Sequence, residues 1–200
     1  SKTNGEGNLH VAGASIPSVP GIVVGHNEHV SWGVTTARLD LSDTYVETLN
    51  EDGTAVIRNG NEIELIEREY TLKGKQGNEE KVTFEFVPGH GPMLSKDMEN
   101  NRGVSVKWVA QSPGADISFL DDLLTAKSVD EAMDALGPIE TNNQCWVFMD
   151  RNGNRDDGEI GWYPKGKIPK RPWASTETPN WLPLPGDGSA EWDGHLSREE

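Results

Sequence analysis

The chain has 200 residues, 18 of them basic and 33 acidic, for a formal net charge of −15. That balance excludes the basic face needed to bind nucleic-acid phosphates or an anionic membrane surface, and its plain consequence is solubility. At 34% hydrophobic, the chain can build the core of one ordinary domain or of a piece of a larger one.

Elements follow in chain order. Residues 1–8 are rich in Gly and Asn and read as a loop. Pro17 and Pro20 fix φ and hold the next segment extended. Residues 21–24 form a short apolar, β-branched run, expected as a buried strand. Residues 25–28 make a polar turn. Residues 30–36 return as a strand with Trp32 as core anchor and Gly33 where another backbone can come close. Residues 44–49 and 54–58 flank Asn50-Glu-Asp-Gly53 as a hairpin. Residues 62–72 and 81–87 flank a second turn, and their charged, alternating arms predict a solvent-facing flap. Residues 104–110 alternate as a half-buried strand.

Residues 116–126 place Ile117, Leu120, Leu123 and Leu124 at helical spacing, giving one apolar face. Ser128-Val-Asp-Glu131 is a capping box that opens a second helix, which Gly137-Pro138 stops. Residues 146–149 and 160–163 pair as strands across a turn at 150–153. The tail, 165–200, lacks periodicity. It is expected as a long ordered loop that covers a partner outside this chain. Strands, then helices, then strands suggest an α+β or layered α/β domain.

Signals of chemistry are sparse. Cys145, the only cysteine, lies in an apolar run and reads as a buried structural thiol. No apolar stretch approaches the ~20 residues of a membrane helix, and no signal peptide is evident. Of the five histidines none pairs at a metal-binding spacing on one helix face. His26 and His90, each beside glycine, read as turn histidines bonded to local backbone. Residues 150–156 mimic a calcium loop. They fail the EF-hand pattern, because Gly falls at 153 and Gly161 stands where a bidentate Glu belongs. Asp40 and Asp43, three apart, can share a cation with a backbone carbonyl. Trp32, Trp108 and Trp146 read as core. Trp173, Trp181 and Trp192 remain for a stacking face, which would suit a secreted, non-catalytic, β-rich carbohydrate- or calcium-binding module.

A longer pattern points elsewhere. Gly13-Ala-Ser-Ile-Pro17, Pro20-Gly-Ile-Val-Val-Gly-His-Asn27, Ser31-Trp-Gly-Val-Thr35 and the Asp40/Asp43/Tyr45-Val-Glu47 set stand in one order. Together they resemble the β-subunit of the penicillin acylase (penicillin amidase) family of N-terminal nucleophile hydrolases. His90-Gly-Pro92, residues 146–154, Ile160-Gly-Trp162, Leu182-Pro-Leu-Pro-Gly186 and Trp192-Asp-Gly194 are weaker, colinear matches.

The resemblance implies an α+β fold that is part of a four-layer αββα sandwich, with 1–200 a single partial domain, an internal fragment of the β-subunit. It implies an amidohydrolase for N-acylated small molecules, of the β-lactam side-chain or acyl-homoserine lactone type, made as a zymogen. The family's nucleophile is an N-terminal Ser with its own amine as base. That Ser opens a strand well before Gly13, so Ser1 is not expected to be it, and the fragment alone is expected to be inactive. The oxyanion Asn belongs downstream of Trp192. By the same resemblance the Thr36 amide joins the oxyanion hole, and Val24 and Val34 line the acyl pocket. Asp40, Asp43 and the Ser42 carbonyl would bind one structural calcium, with a further carbonyl at Pro179 or Asn180. The implied partners are the acyl amide, the α-subunit and the remaining β-subunit segments. The implied location is periplasmic or extracellular.

Overall fold

The structure is a computed structural model. It describes residues 9–112, 114–151 and 158–197. Ser1 and residues 152–156 of the calcium-like loop lie outside them. In chain order come β1 (Ala12–Ala14), β2 (Val24–His26), β3 (Val30–Thr36), β4 (Ser42–Thr48), β5 (Ala55–Arg58) and β6 (Asn61–Glu64). Next are β7 (Ile66–Lys73), β8 (Glu79–Val87), β9 (Gly91–Asp97) and β10 (Arg102–Trp108). Helices α1 (Phe119–Thr125) and α2 (Val129–Ala135) precede β11 (Gln144–Asp150), β12 (Ile160–Lys165) and β13 (Leu184–Pro185). The elements fall into two compact units.

The first unit draws on Ser1–Asp40 and Ser112–Ile168. Its antiparallel sheet has the order β1-β2-β3-β11-β12. The period of two turns Val30 and Trp32 of β3, with Trp146 and Phe148 of β11, toward the helices. There they meet Phe119, Leu120, Leu123, Ala132 and Leu136. Trp32, at 4% exposure, is the core anchor its sequence predicts. Phe119 meets the Trp146 ring edge-on at 5.3 Å. The alternate residues Val147, Met149, Ile160 and Trp162 are exposed, so the other face of this sheet is apolar and uncovered within the unit. Half-buried Cys145 is less enclosed than expected.

Local chemistry sets the ends of the elements. Gly21 has φ +89°, outside the strand region, so β2 starts at Val24 rather than at 21. The first helix starts at Phe119 rather than 116, leaving Ile117 exposed. The Asp116 carboxylate is instead bound by the amides of Glu140, Thr141 and Asn142 and by Thr141 Oγ1. Burial works against the ionised form, but these bonds win and hold Asp116 below the usual carboxylate range. Ser128 Oγ accepts the Glu131 amide at 3.2 Å, as the capping box predicts. Glu131 Oε2 reaches back to the Lys127 amide, one residue before the cap. Asp150 braces the same end of α2, with Oδ2 accepting from the Val129 amide and Oδ1 from that of Glu159.

The second unit draws on Leu41–Gln111 and Pro169–Glu200. Its six-stranded sheet runs β13-β4-β10-β9-β8-β7, with β5 and β6 as a separate hairpin. The flap is a β7–β8 hairpin, in register from Ile66↔Phe86 to Lys73↔Glu79. The expected hairpin of residues 44–49 and 54–58 does not form. Strand β4 pairs with β10 and β13, and β5 pairs with β6; a single bridge, Leu49↔Val56, links the two runs.

The polarity of β10 is the reverse of its sequence pattern. Gly103 and Ser105 face inward, Val104 and Val106 are half-buried, and Trp108, expected in the core, is 49% exposed. Strand β4 supplies the reason, because it turns Asp43, Tyr45 and Glu47 inward and Ser105 bonds to that Glu47 carboxylate.

The tail also differs from expectation. After Ile168 it folds back over β4 of its own unit. Leu184 and Pro185 pair in parallel with Tyr45 and Val46, and Leu184, Ala190 and Trp173 enclose the Tyr45 ring. What it covers in this structure is therefore a strand of this chain.

Candidate functional site

In the first unit, Thr36 closes β3 opposite Gln144 and is exposed. The backbone just after it is pinned by Asn143. Its carbonyl accepts from the Ala37 amide at 3.1 Å, and its side chain exchanges two bonds with the Leu39 backbone. Val34 packs against the helix-covered core. Val24, at 38% exposure, is not part of that core, and the β2–β3 register puts it on the opposite face. The two valines therefore do not share one surface. Asp40 is exposed at the end of this segment.

In the second unit, three of the residues singled out lie apart in their commitments. Ser42 opens β4 and is exposed. The Pro179 carbonyl accepts from the Leu182 amide at 3.3 Å. Asp43 is buried and asymmetrically held. Its Oδ2 takes Arg171 Nε at 2.8 Å and Trp192 Nε1 at 2.5 Å. Its Oδ1 is buried with no hydrogen-bond partner. A buried carboxylate with one committed and one orphaned oxygen is incompletely satisfied, and a hard cation is a fitting occupant for the free oxygen. Among the described residues, no three His, Cys, Asp or Glu side chains converge as a ready metal cage. Such a site would need backbone carbonyls as well.

Beside Asp43 lies a buried polar cluster that sequence reading missed. His90, expected to bond local backbone, is fully buried between two carboxylates. Nδ1 lies 2.6 Å from Glu47 Oε1, and Nε2 lies 2.8 Å from Glu191 Oε1. Its ring stacks on Tyr45 at 3.7 Å. Ser105 Oγ donates to Glu47 Oε1 at 2.6 Å, and Lys107 Nζ donates to Glu191 Oε2 at 3.2 Å. Arg58 Nη2 also approaches Nδ1, at 2.9 Å, while Nη1 donates to the Pro88 carbonyl. Nδ1 thus sits between an acceptor and a donor, and a proton there serves only one of them.

The hydrogen bond from His90 is the main influence on Glu191. Burial opposes it and the charges of His90 and Lys107 add to it, bringing the Glu191 pKa down to about 2. Burial, reinforced by the Asp43 and Glu191 charges, pushes the Tyr45 hydroxyl well above its ordinary value. That hydroxyl donates to the Ala190 carbonyl at 3.0 Å. The glycines on either side of His90 mark a tight turn in the sequence but do not say which way the ring points. Gly89 and Gly91 lie at φ +83° and +86°, and a Cβ on Gly91 would come within 2.6 Å of the Val106 carbonyl. A glycine on each side lets the chain turn tightly enough to bury the ring. His26 does bond local backbone, at the Asn27 carbonyl, 3.0 Å away.

The tryptophans expected on a stacking face are employed otherwise. Trp173 is half-buried and donates to the Glu191 carbonyl, and Trp192 holds Asp43. Only Trp181 of the three stands fully open. A carbohydrate-binding face is not favoured. No helix among the described residues is long and apolar enough to cross a membrane.

Comparison with known proteins agrees with the fold. The sequence model of the family described as penicillin amidase matches residues 2–200. An acyl-homoserine lactone acylase, QuiP, from Pseudomonas aeruginosa is 29% identical over 92% of this chain and 22% of its own length. The penicillin acylase 2 proenzyme of Pseudomonas sp. strain SE83 is 32% identical over 94% of this chain and 23% of its own. Among solved structures, a thermostable penicillin G acylase from Alcaligenes faecalis superposes with a TM-score of 0.79 at 22% identity. That match covers 94% of this chain and 33% of the other. The chain thus spans about a fifth of the curated relatives' length.

Proposed function

This chain belongs to the penicillin amidase family, and on that premise we propose that the protein it is part of hydrolyses the amide of an N-acylated small molecule. The match across residues 2–200 carries this reading. The relatives are named for penicillins and for acyl-homoserine lactones. The substrate is accordingly an acyl amide of one of those kinds, and a β-lactam substrate would tie the enzyme to antibiotic biosynthesis.

In the proposed reaction, an N-terminal Ser outside these 200 residues attacks the carbonyl, and its own amine takes the proton. The Thr36 amide, with an Asn from elsewhere in the β-subunit, stabilises the oxyanion. The C–N bond then breaks as the leaving amine takes up that proton, and water hydrolyses the acyl-enzyme to release the acid and restore the Ser hydroxyl. The resemblance assigns both Val24 and Val34 to the acyl pocket; since they lie on opposite faces of the sheet, only one can line a given acyl group, and the exposed Val24 is the one proposed. The α-subunit and the rest of the β-subunit of the same precursor complete the site, in the periplasm or outside the cell.

A structural calcium is proposed with it, on Asp43, the Ser42 and Pro179 carbonyls and, by the resemblance alone, Asp40. The orphaned Asp43 Oδ1 supports this assignment. When bound, the ion would tie loop and strand together by its charge.

The test is release of the amine from chromogenic phenylacetyl and long-chain acyl amides by the intact protein. Turnover of either supports the reading, and turnover of neither by correctly processed protein overturns it. The isolated 200-residue chain should release none. Activity in it that Ser1→Ala abolishes would relocate the nucleophile.

A further inference from the structure

The buried cluster around His90 has no part in the chemistry proposed above, yet it leads to Asp43 by a short chain of contacts. Asp43 Oδ2 is oriented by Trp192 and Arg171. Trp192 follows Glu191 directly, so the indole goes where the Glu191 backbone is held. Glu191 is bound through Nε2 of His90 and through Lys107, with Arg58 Nε 3.8 Å away. Its carbonyl takes the Trp173 indole, and the preceding carbonyl takes the Tyr45 hydroxyl. His90 in turn is fixed by Glu47 and by the Tyr45 ring. The Lys107 ammonium lies 4.8 Å from the Trp192 ring centroid and steadies it from one side.

We propose that His90 is a positioning residue for the Asp43 carboxylate. It clamps Glu191, which sets the Trp192 indole, which turns Asp43 so that Oδ1 is left free for a ligand. The inference rests on the calcium reading for the identity of that ligand, but not for the path. Partners that orient a metal ligand typically matter 10–100-fold for metal affinity.

The experiment measures calcium affinity of the intact protein by chelator competition, alongside the near-UV circular dichroism of Trp192 in calcium-free protein, taken as wild type minus Trp192→Phe. His90→Leu and, as a variant at a partly exposed position, Glu191→Ala should each weaken calcium binding about 10–100-fold and erase the Trp192 band. Glu191→Gln, whose amide oxygen still accepts from His90, should restore both. In a Trp192→Phe background Glu191→Ala should cost nothing further, because both act on one path.

Wild-type affinity and an intact Trp192 band in Glu191→Ala would overturn the proposal while leaving calcium at Asp43 standing. So would losses that multiply in the double variant. Calcium binding unchanged by Asp43→Asn would remove the calcium reading instead. The positioning path is then decided by the Trp192 band alone: its loss in Glu191→Ala supports it and its persistence overturns it.

Discussion

Glu47 shows how tightly single residues are constrained in the second unit. Its carboxylate is wholly buried, with Oε2 unpartnered, and it lies against Gly186. A Cβ at Gly186 would sit 2.2 Å from that oxygen and 2.9 Å from the Val46 carbonyl. Neither neighbour can yield, since one is locked by His90 and Ser105 and the other is backbone. Gly186→Ala should therefore destabilise the protein by about 1–3 kcal/mol, the usual cost of overpacking, read from urea unfolding. Glu191 sets an acid limit. Its pKa in the fold is about 2, against 4.5 for the free group. A depressed carboxylate contributes stability that is fully present above the unfolded value and is lost as pH falls through the folded one. Stability should then decline from about pH 4.5 to about pH 2. Glu191→Gln should flatten that part of a stability-against-pH curve, and an unchanged slope would show that the clamp carries no net charge linkage.

Strands β3 and β11 repay attention at the next scale, because neighbouring residues have opposite fates. Trp32 is enclosed by the helices, and Trp32→Ala should cost about 3–5 kcal/mol, as deletion of a buried aromatic does. Phe148 faces the same core, while Met149 points to the open face. A lysine at Phe148 places an unpaired charge inside and should prevent folding or lower the melting temperature steeply. A lysine at Met149 should change stability by no more than about 0.5 kcal/mol. Equal effects at the two positions would mean that the register is wrong by one residue. These elements were legible in advance because runs 30–36 and 146–149 are apolar and bounded by turns. Strand β10 was not. Its alternation is clean, but the phase that faces inward was chosen by the carboxylates of β4, which local sequence does not contain.

For the molecule as a whole, the excess of 33 acidic over 18 basic residues predicts self-repulsion. Raising ionic strength from low salt should raise the melting temperature of the chain as the repulsion is screened. A midpoint independent of salt would mean that the acidic residues are locally balanced. The sequence by itself determined the family, because ordered strings such as Gly13–Pro17 and Ser31–Thr35 are read directly from residue identity. It also determined the capped start of the second helix, the turn of the flap and the strand Val30–Thr36, since periodicity, capping and turn chemistry act within a few residues. The first helix starts later than expected, and the expected flap arm 62–72 splits, with Asn61–Glu64 pairing with β5 instead. Only the tertiary structure decided that the tail returns over β4, that Trp108 faces outward and that His90 is buried between Glu47 and Glu191. Each of these depends on residues 43 to 145 positions apart in the chain. Burial and charge pairing at such separations are set by the whole packed unit, and no local pattern of residues encodes them.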